Sequence, residues 1–268
     1  MVGVLLRLIT FAVMNVYNYI TSNKAKLRKL FAVLVDPDKQ KQDELLCLIE
    51  KAVAAKVDLI FVGGSLLTNG NFGSCIQTIK SNCSIPIVIF PGNSMQINKD
   101  ADGILFLSLI SGRNPDMLIG NQVIAAPILK HSGIEVLPTG YMLIDSGKPT
   151  TVSYMSNTTP IPYDKNDVAL CTAMAGEMLG LKLIFMDGGS GATIPISESM
   201  INMVSQSIDV PLIVGGGICS SEKAIANCEA GADVIVVGNS IEKKPNLIEE
   251  IAQAIHQFNA TTNNEVLS

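Results

Sequence analysis

The chain has 268 residues, of which 48% are hydrophobic and 16% charged, and its formal net charge is −5. That balance excludes a disordered chain and allows a sizeable core, in one large domain or two modest ones. No long run of Lys or Arg is present, which argues against nucleic acid as a partner, whereas helix N-termini and glycine loops bind phosphate without side-chain charge.

The stretch from Met1 to Ile20 is apolar apart from Arg7, Asn15 and Asn18, and its length would suffice for a membrane span. It has no basic residue before Arg7 and no small-residue cleavage site after its apolar part, which argues against a signal peptide. Met14 offers an alternative start, leaving Met1 to Val13 as upstream sequence. Residues 1–30 are therefore expected to be an extension or first helix, with a membrane-contacting helix, then a true signal or span, as the alternatives.

From residue 31 one pattern recurs. Eight short apolar runs are separated by longer segments: Phe31–Val35, Leu59–Val62, Ile87–Phe90, Ile104–Leu109, Tyr141–Ile144, Leu183–Met186, Leu212–Val214 and Val234–Val237. Runs this short and this continuously apolar suit strands buried on both faces of a parallel sheet. Gln42 to Lys56 places Leu45, Leu46, Leu48, Ile49 and Val53 on one broad helical face, and Ser221 to Ala230 reads similarly. The alternation predicts an α/β fold, a (β/α)8 TIM barrel over 31–258 with a tail at 259–268. A doubly wound sheet is the runner-up, but its G-x-G-x-x-G fingerprint is not found.

Two intervals break the rhythm. Gly92 to Asp102 is short for a crossover helix, so the third helix is expected to be modified or missing. Ser146 to Pro162 reads as a hairpin or lid over the barrel mouth, since long loops in compact domains are usually functional.

The six cysteines form no C-x-x-C pair, and the only histidines are His131 and His256. A zinc site is not expected, and free thiols in a reducing cytoplasm are the simpler reading.

In such a barrel the site lies at the carboxyl ends of the strands, with phosphate held after the seventh and eighth. Gly216-Gly217 and Gly238-Asn239 occupy those positions. The sixth run opens into Asp187-Gly188-Gly189-Ser190-Gly191, offering one carboxylate beside exposed backbone donors. Asp187 could equally cap the segment that follows it. Asp36-Pro37-Asp38-Lys39 follows the first run and Gly63-Gly64-Ser65 the second. A carboxylate and a hydroxyl there suit Mg2+, although Asp-Pro-Asp is also a common turn.

Taken in order, Asp-Pro-Asp-Lys, Val-Gly-Gly-Ser, Ser111 to Asp116, Pro138 to Tyr141, Asp-Gly-Gly-Ser-Gly-Ala, Val-Gly-Gly-Gly-Ile and Val-Val-Gly-Asn-Ser resemble the geranylgeranylglyceryl phosphate synthase family from Phe31 to Ser240. The resemblance implies a prenyltransferase joining the C3 hydroxyl of sn-glycerol 1-phosphate to a polyprenyl (geranylgeranyl) diphosphate. That reaction releases diphosphate and makes the first ether bond of an ether phospholipid. It further implies Mg2+ on Asp36 and Ser65. Glycerol phosphate would lie on Phe185, Met186, Asp187, Gly188, Gly189, Ser190, Gly191, Gly216, Gly217, Gly238 and Asn239. Asp187 would take or orient the hydroxyl proton.

Phe106, Leu107, Leu109, Tyr141 and Met142 are candidates for the isoprenoid groove, with ordinary barrel core as the alternative. A homo-oligomer and peripheral membrane contact are expected. Three departures stand out: Leu34 where some members carry lysine, Phe185 where tyrosine is usual, and Asp187 for the more familiar glutamate. On the residues alone, a phosphate-sugar isomerase, a flavin-binding oxidoreductase or a non-catalytic phosphate-binding barrel remains open, because one fold serves many chemistries.

Overall fold

The computed structural model describes residues 15–266; the readings made for Met1 to Val13 lie outside them. Helix α1 (Val16–Ala25) leads into β1 (Leu30–Val35), α2 (Gln42–Ala54), β2 (Leu59–Val62), α3 (Phe72–Asn82), β3 (Ile87–Ile89) and β4 (Gly103–Leu109). A π-helical turn (Asp116–Gly120) precedes α4 (Asn121–Ser132), β5 (Glu135–Leu143), α5 (Thr151–Ser156), α6 (Asn166–Met178) and β6 (Leu183–Asp187). The chain ends with α7 (Glu198–Ser205), β7 (Leu212–Gly215), α8 (Ser221–Glu229), β8 (Val234–Val237), α9 (Asn239–Lys243) and α10 (Leu247–Val266). All eight strands pair in parallel, in sequence order, and β8 closes on β1. This is the expected (β/α)8 barrel.

Period-two alternation sorts each strand into two cores. Leu183, Phe185 and Asp187 of β6 face the barrel interior, while Ile184 and Met186 face the helices. The same rule sends Leu137, Tyr141 and Leu143 inward on β5 and Met142 outward. Helix α1 belongs to the barrel: its Val16 and Ile20 are buried in the interior cluster and plug the amino-terminal end. At the other end of the chain, Asn259 accepts from the Lys29 N–H (2.7 Å) and donates to the Lys29 carbonyl (2.9 Å), pinning α10 to the start of β1. Residues 259–266, at the start of the expected tail, continue helix α10.

The third crossover has no helix. Gln96, 4% exposed, ties the replacing loop to its neighbour by accepting from Gly92 N–H (3.0 Å) and donating to the Gly64 carbonyl (3.2 Å). The excursion after β5 differs from the hairpin expectation. Its contact with the sheet is one parallel bridge, Ile144 to Ile161. Between them Thr150 and Ser153 cap the short helix α5 reciprocally, and Pro160 and Pro162 flank the bridge, where prolines cannot extend a ladder.

A repeated device closes the amino-terminal end. Asp58, Asp102 and Asp233 each stand just before a strand, and each carboxylate accepts the first free N–H of the neighbouring strand: Phe31 (2.9 Å), Ile87 (2.8 Å) and Leu212 (3.0 Å). Arg28, Lys80 and the Lys24–Lys29 pair balance the three charges. Asp58 also accepts from the Tyr19 hydroxyl at 2.7 Å, joining α1 to the clamp. Removing a buried carboxylate strands its donors, so Asp58→Ala is expected to lower unfolding stability by about 2–3 kcal/mol. Urea denaturation measures this; a midpoint like that of the wild type would deny Asp58 the role.

Candidate active site

At the carboxyl-terminal rim the strand ends open into a cavity of about 1030 Å³. One part is polar and built on the loops after β6, β7 and β8. Gly216 adopts φ +85°, and a Cβ there would lie 2.5 Å from the Gly188 nitrogen and 2.9 Å from Asp187 Oδ1. Only glycine lets these two loops approach so closely. Ser190 accepts from Asn239 Nδ2 at 2.8 Å, which ties the β6 loop to the β8 loop. Ser190, Gly191, Gly216, Gly217, Gly238 and Asn239 therefore share one concavity, a shape and polarity suited to a phosphate group.

Asp187 lies at the edge of that concavity and is 8% exposed. Its Oδ2 accepts from the Tyr141 hydroxyl at 2.6 Å and its Oδ1 from the Gly189 N–H at 2.7 Å. Burial pushes the carboxyl above its usual range, and those two donors oppose the shift. Burial and the adjacent carboxylate likewise hold the Tyr141 hydroxyl well above its ordinary value. A desolvated carboxylate with a raised pKa is a better proton acceptor than one in water. Asp187 caps no helix: α7 begins at Glu198 under its own cap, Ser197. The Gly189 contact instead fixes the loop as an Asx-type turn.

Beneath the carboxylate, Phe90, Tyr141 and Phe185 form an aromatic floor, with Phe90 stacked on Phe185 at 5.1 Å and Tyr141 edge-on to Phe185 at 5.7 Å. From there an apolar arm runs between β4 and α4, lined by Leu105, Phe106, Leu107, Leu109, Met117, Ala125 and Leu129. Met142 lies outside this arm, in the outer core, because it occupies an odd step in the alternation. The Met186 side chain, for the same reason, is fully buried in the outer core. The Gly188 N–H is bonded to the Gly215 carbonyl (3.1 Å), which ties the β6 loop to β7.

Asp36 and Ser65 both line the cavity at neighbouring strand ends. The β2 loop runs directly against the carboxylate, since a Cβ on Gly64 would lie 3.2 Å from Asp36 Oδ1. Among the described residues no group of three or more His, Cys, Asp or Glu could cage a metal. Asp36 Oδ2 is paired with Lys39 at 2.9 Å and its Oδ1 accepts from the Asp38 N–H at 3.1 Å; with the Ser65 hydroxyl it makes a sparse donor set, of the kind Mg2+ completes with waters and phosphate oxygens.

Several residues here were not assigned a polar role from sequence. Lys39 bonds Asp36, and Lys148 overhangs Gly191, whose Cβ would lie 3.7 Å from Lys148 Nζ. Glu242 also faces the cavity, its carboxyl raised by burial against the opposing Lys39 charge. Tyr141 was read only as a groove residue. Its partnership with Asp187 follows from register, for Tyr141 opposes Phe185 and sits diagonally from Asp187.

Fold and site together define a (β/α)8 barrel with a buried carboxylate set between a glycine-lined concavity and an apolar groove. Residues 23–257 match the PcrB family, and the chain belongs to it. It is 58% identical over 242 residues to a geranylgeranylglyceryl phosphate synthase of Chitinophaga pinensis, covering 90% of this chain and 96% of that one. A Thermococcus gammatolerans relative with the same name is 40% identical, over 88% of this chain and 93% of its own. The crystal structure of (S)-3-O-geranylgeranylglyceryl phosphate synthase from Thermoplasma acidophilum, in complex with sn-glycerol-1-phosphate, superposes with a TM-score of 0.86 at 33% identity, covering 91% and 99% of the two chains.

The Tyr141 hydroxyl stabilises the charged form of Asp187, so Tyr141→Phe is expected to raise the Asp187 pKa further. Carboxyl-carbon NMR titration reads this directly; an unchanged or lower value would contradict the hydrogen bond.

Proposed function

We propose that this protein is a prenyltransferase that joins the C3 hydroxyl of sn-glycerol 1-phosphate to a polyprenyl diphosphate of geranylgeranyl type. The product carries the first ether bond of an ether phospholipid. The observation that supports this most directly is the placement of Asp187, with a glycine-lined cradle on one side and an apolar arm on the other. An isomerase of small sugar phosphates would leave that arm without a purpose.

The cradle holds the phosphate of the acceptor and so fixes its glycerol backbone over the aromatic floor. Positioning of this kind supplies much of a bimolecular reaction's acceleration. The hydroxyl oxygen attacks C1 of the allylic chain, a C–O bond forms, and the C–O bond to diphosphate breaks with its electron pair leaving on diphosphate. Asp187 accepts the hydroxyl proton, and Tyr141 and Gly189 hold its carboxylate in place while it does so. Asp36 and Ser65 are the residues that would hold Mg2+; when bound, the ion would neutralise charge developing on the leaving diphosphate. The apolar arm excludes water from the cation-like allylic carbon. Phe185 offers no hydroxyl, and Tyr141 supplies one to Asp187 from the neighbouring strand.

The isoprenoid is lipid-soluble, and no helix among the described residues is long and apolar enough to cross a membrane, so access to lipid is by peripheral contact from a reducing cytoplasm. A homo-oligomer completes the reading. Ile119, Val123, Ile124 and Ile128 are 61%, 64%, 63% and 55% exposed along the π-turn and α4, a continuous apolar face that a second copy would cover.

The test is incubation with labelled sn-glycerol 1-phosphate, a panel of polyprenyl diphosphates and Mg2+. Prenylated glycerol phosphate is the expected product, and its absence at every chain length would sink the proposal. Asp36→Ala should abolish Mg2+-dependent turnover with the fold retained. Asp187→Asn should slow turnover by about 100-fold or more, the usual scale for a general base, and leave glycerol phosphate affinity nearly unchanged. Full activity in either variant would remove that residue from its assigned role.

A further inference from the structure

One ammonium group joins the two anion sites. Lys39 Nζ stands 2.9 Å from Asp36 Oδ2, 3.2 Å from Asn239 Oδ1 and 3.8 Å from Glu242 Oε2. Asn239 passes the connection on by donating to Ser190 Oγ at 2.8 Å. Asp36, Lys39, Asn239 and Ser190 thus form one polar chain across the mouth, from the loop after β1 to the loop after β6. The side chain of Lys39 is 44% exposed and lines the cavity, so its charge is available to a ligand.

Around Lys39 the wall mixes charges: Lys243 and Lys244 of the β8 side also line the cavity. Asp36 and Glu242 both present carboxylates to the cavity, and the apolar Leu34 fills the space a Cβ on Gly238 would meet at 3.3 Å. Lys39 is the cation found ion-paired with both acids. A phosphate seated at Gly238–Asn239 and a diphosphate near Asp36 would bring two multiply charged groups to opposite sides of that ammonium, where their repulsion is strong at reduced dielectric.

We propose that Lys39 is a positioning residue that permits both anionic substrates to bind at once, its ammonium lying between the glycerol phosphate and the diphosphate and offsetting their mutual repulsion. The role rests on the prenyltransferase reading and assigns a cation to the junction of its two subsites. Arginine would keep the charge at this point; methionine would keep the length and remove it.

The test is calorimetric. sn-Glycerol 1-phosphate is titrated into wild type, Lys39→Met and Lys39→Arg, each with and without saturating inorganic pyrophosphate and Mg2+. In the wild type, pyrophosphate is expected to change glycerol phosphate affinity by no more than about threefold. In Lys39→Met it should weaken that affinity by about tenfold or more, the scale of one lost charge-assisted contact, and Lys39→Arg should restore the wild-type ratio. An equal ratio in Lys39→Met and wild type would overturn the role of Lys39 while leaving the enzyme's function intact. Failure of the wild type to bind glycerol 1-phosphate at all would instead overturn the function, and this role with it.

Discussion

Closure of a wholly parallel sheet is the constraint from which the rest follows. Because β8 pairs with β1 and every strand points the same way, all eight carboxyl ends meet on one rim. Residues distant in the chain, such as Asp36, Asp187 and Asn239, become neighbours without any long-range device of their own. The same closure fills the interior with side chains from alternate positions, and so decides which residue of each strand sees the cavity. Asp187 faces inward for that reason, and Met186 does not.

The buried carboxylate is the costly element in this arrangement. A charged group taken from water is destabilised unless donors replace its hydration. Two donors do so here, the Tyr141 hydroxyl from β5 and the Gly189 amide from its own loop. They satisfy one lone-pair direction on each oxygen. Holding the group partly desolvated keeps its basicity high, while the donors keep it oriented. Phe185 carries no hydroxyl; its ring packs in the floor, and the hydroxyl that reaches Asp187 comes from Tyr141 on the neighbouring strand.

Much of the barrel was legible because its strands are short, apolar and punctuated by Asp or Gly at the carboxyl end. The missing third helix showed as a shortage of residues between Gly92 and Asp102. Other features were hidden for physical reasons. The helix at Thr151–Ser156 is six residues long and depends on one capping pair, too short for any periodicity to emerge. Met142 and Met186 are apolar neighbours of inward residues, and only a fixed register says which side of the sheet they occupy. Lys39 stood in plain view within Asp-Pro-Asp-Lys, yet its reach to Asn239 exists only after the first and eighth strands close.

The carboxylate clamps at the amino-terminal end divide the barrel into couples. Asp58 joins β1 to β2, Asp102 joins β3 to β4, and Asp233 joins β7 to β8. At the corresponding place before β6 the chain carries Lys182, whose ammonium lies over the Tyr17 ring of α1. The β5–β6 seam is therefore fastened differently, by the Tyr141–Asp187 bond at the opposite rim. The couple that carries the buried carboxylate is stitched at the cavity end, so the contact that tunes this carboxyl also serves as that seam's rivet.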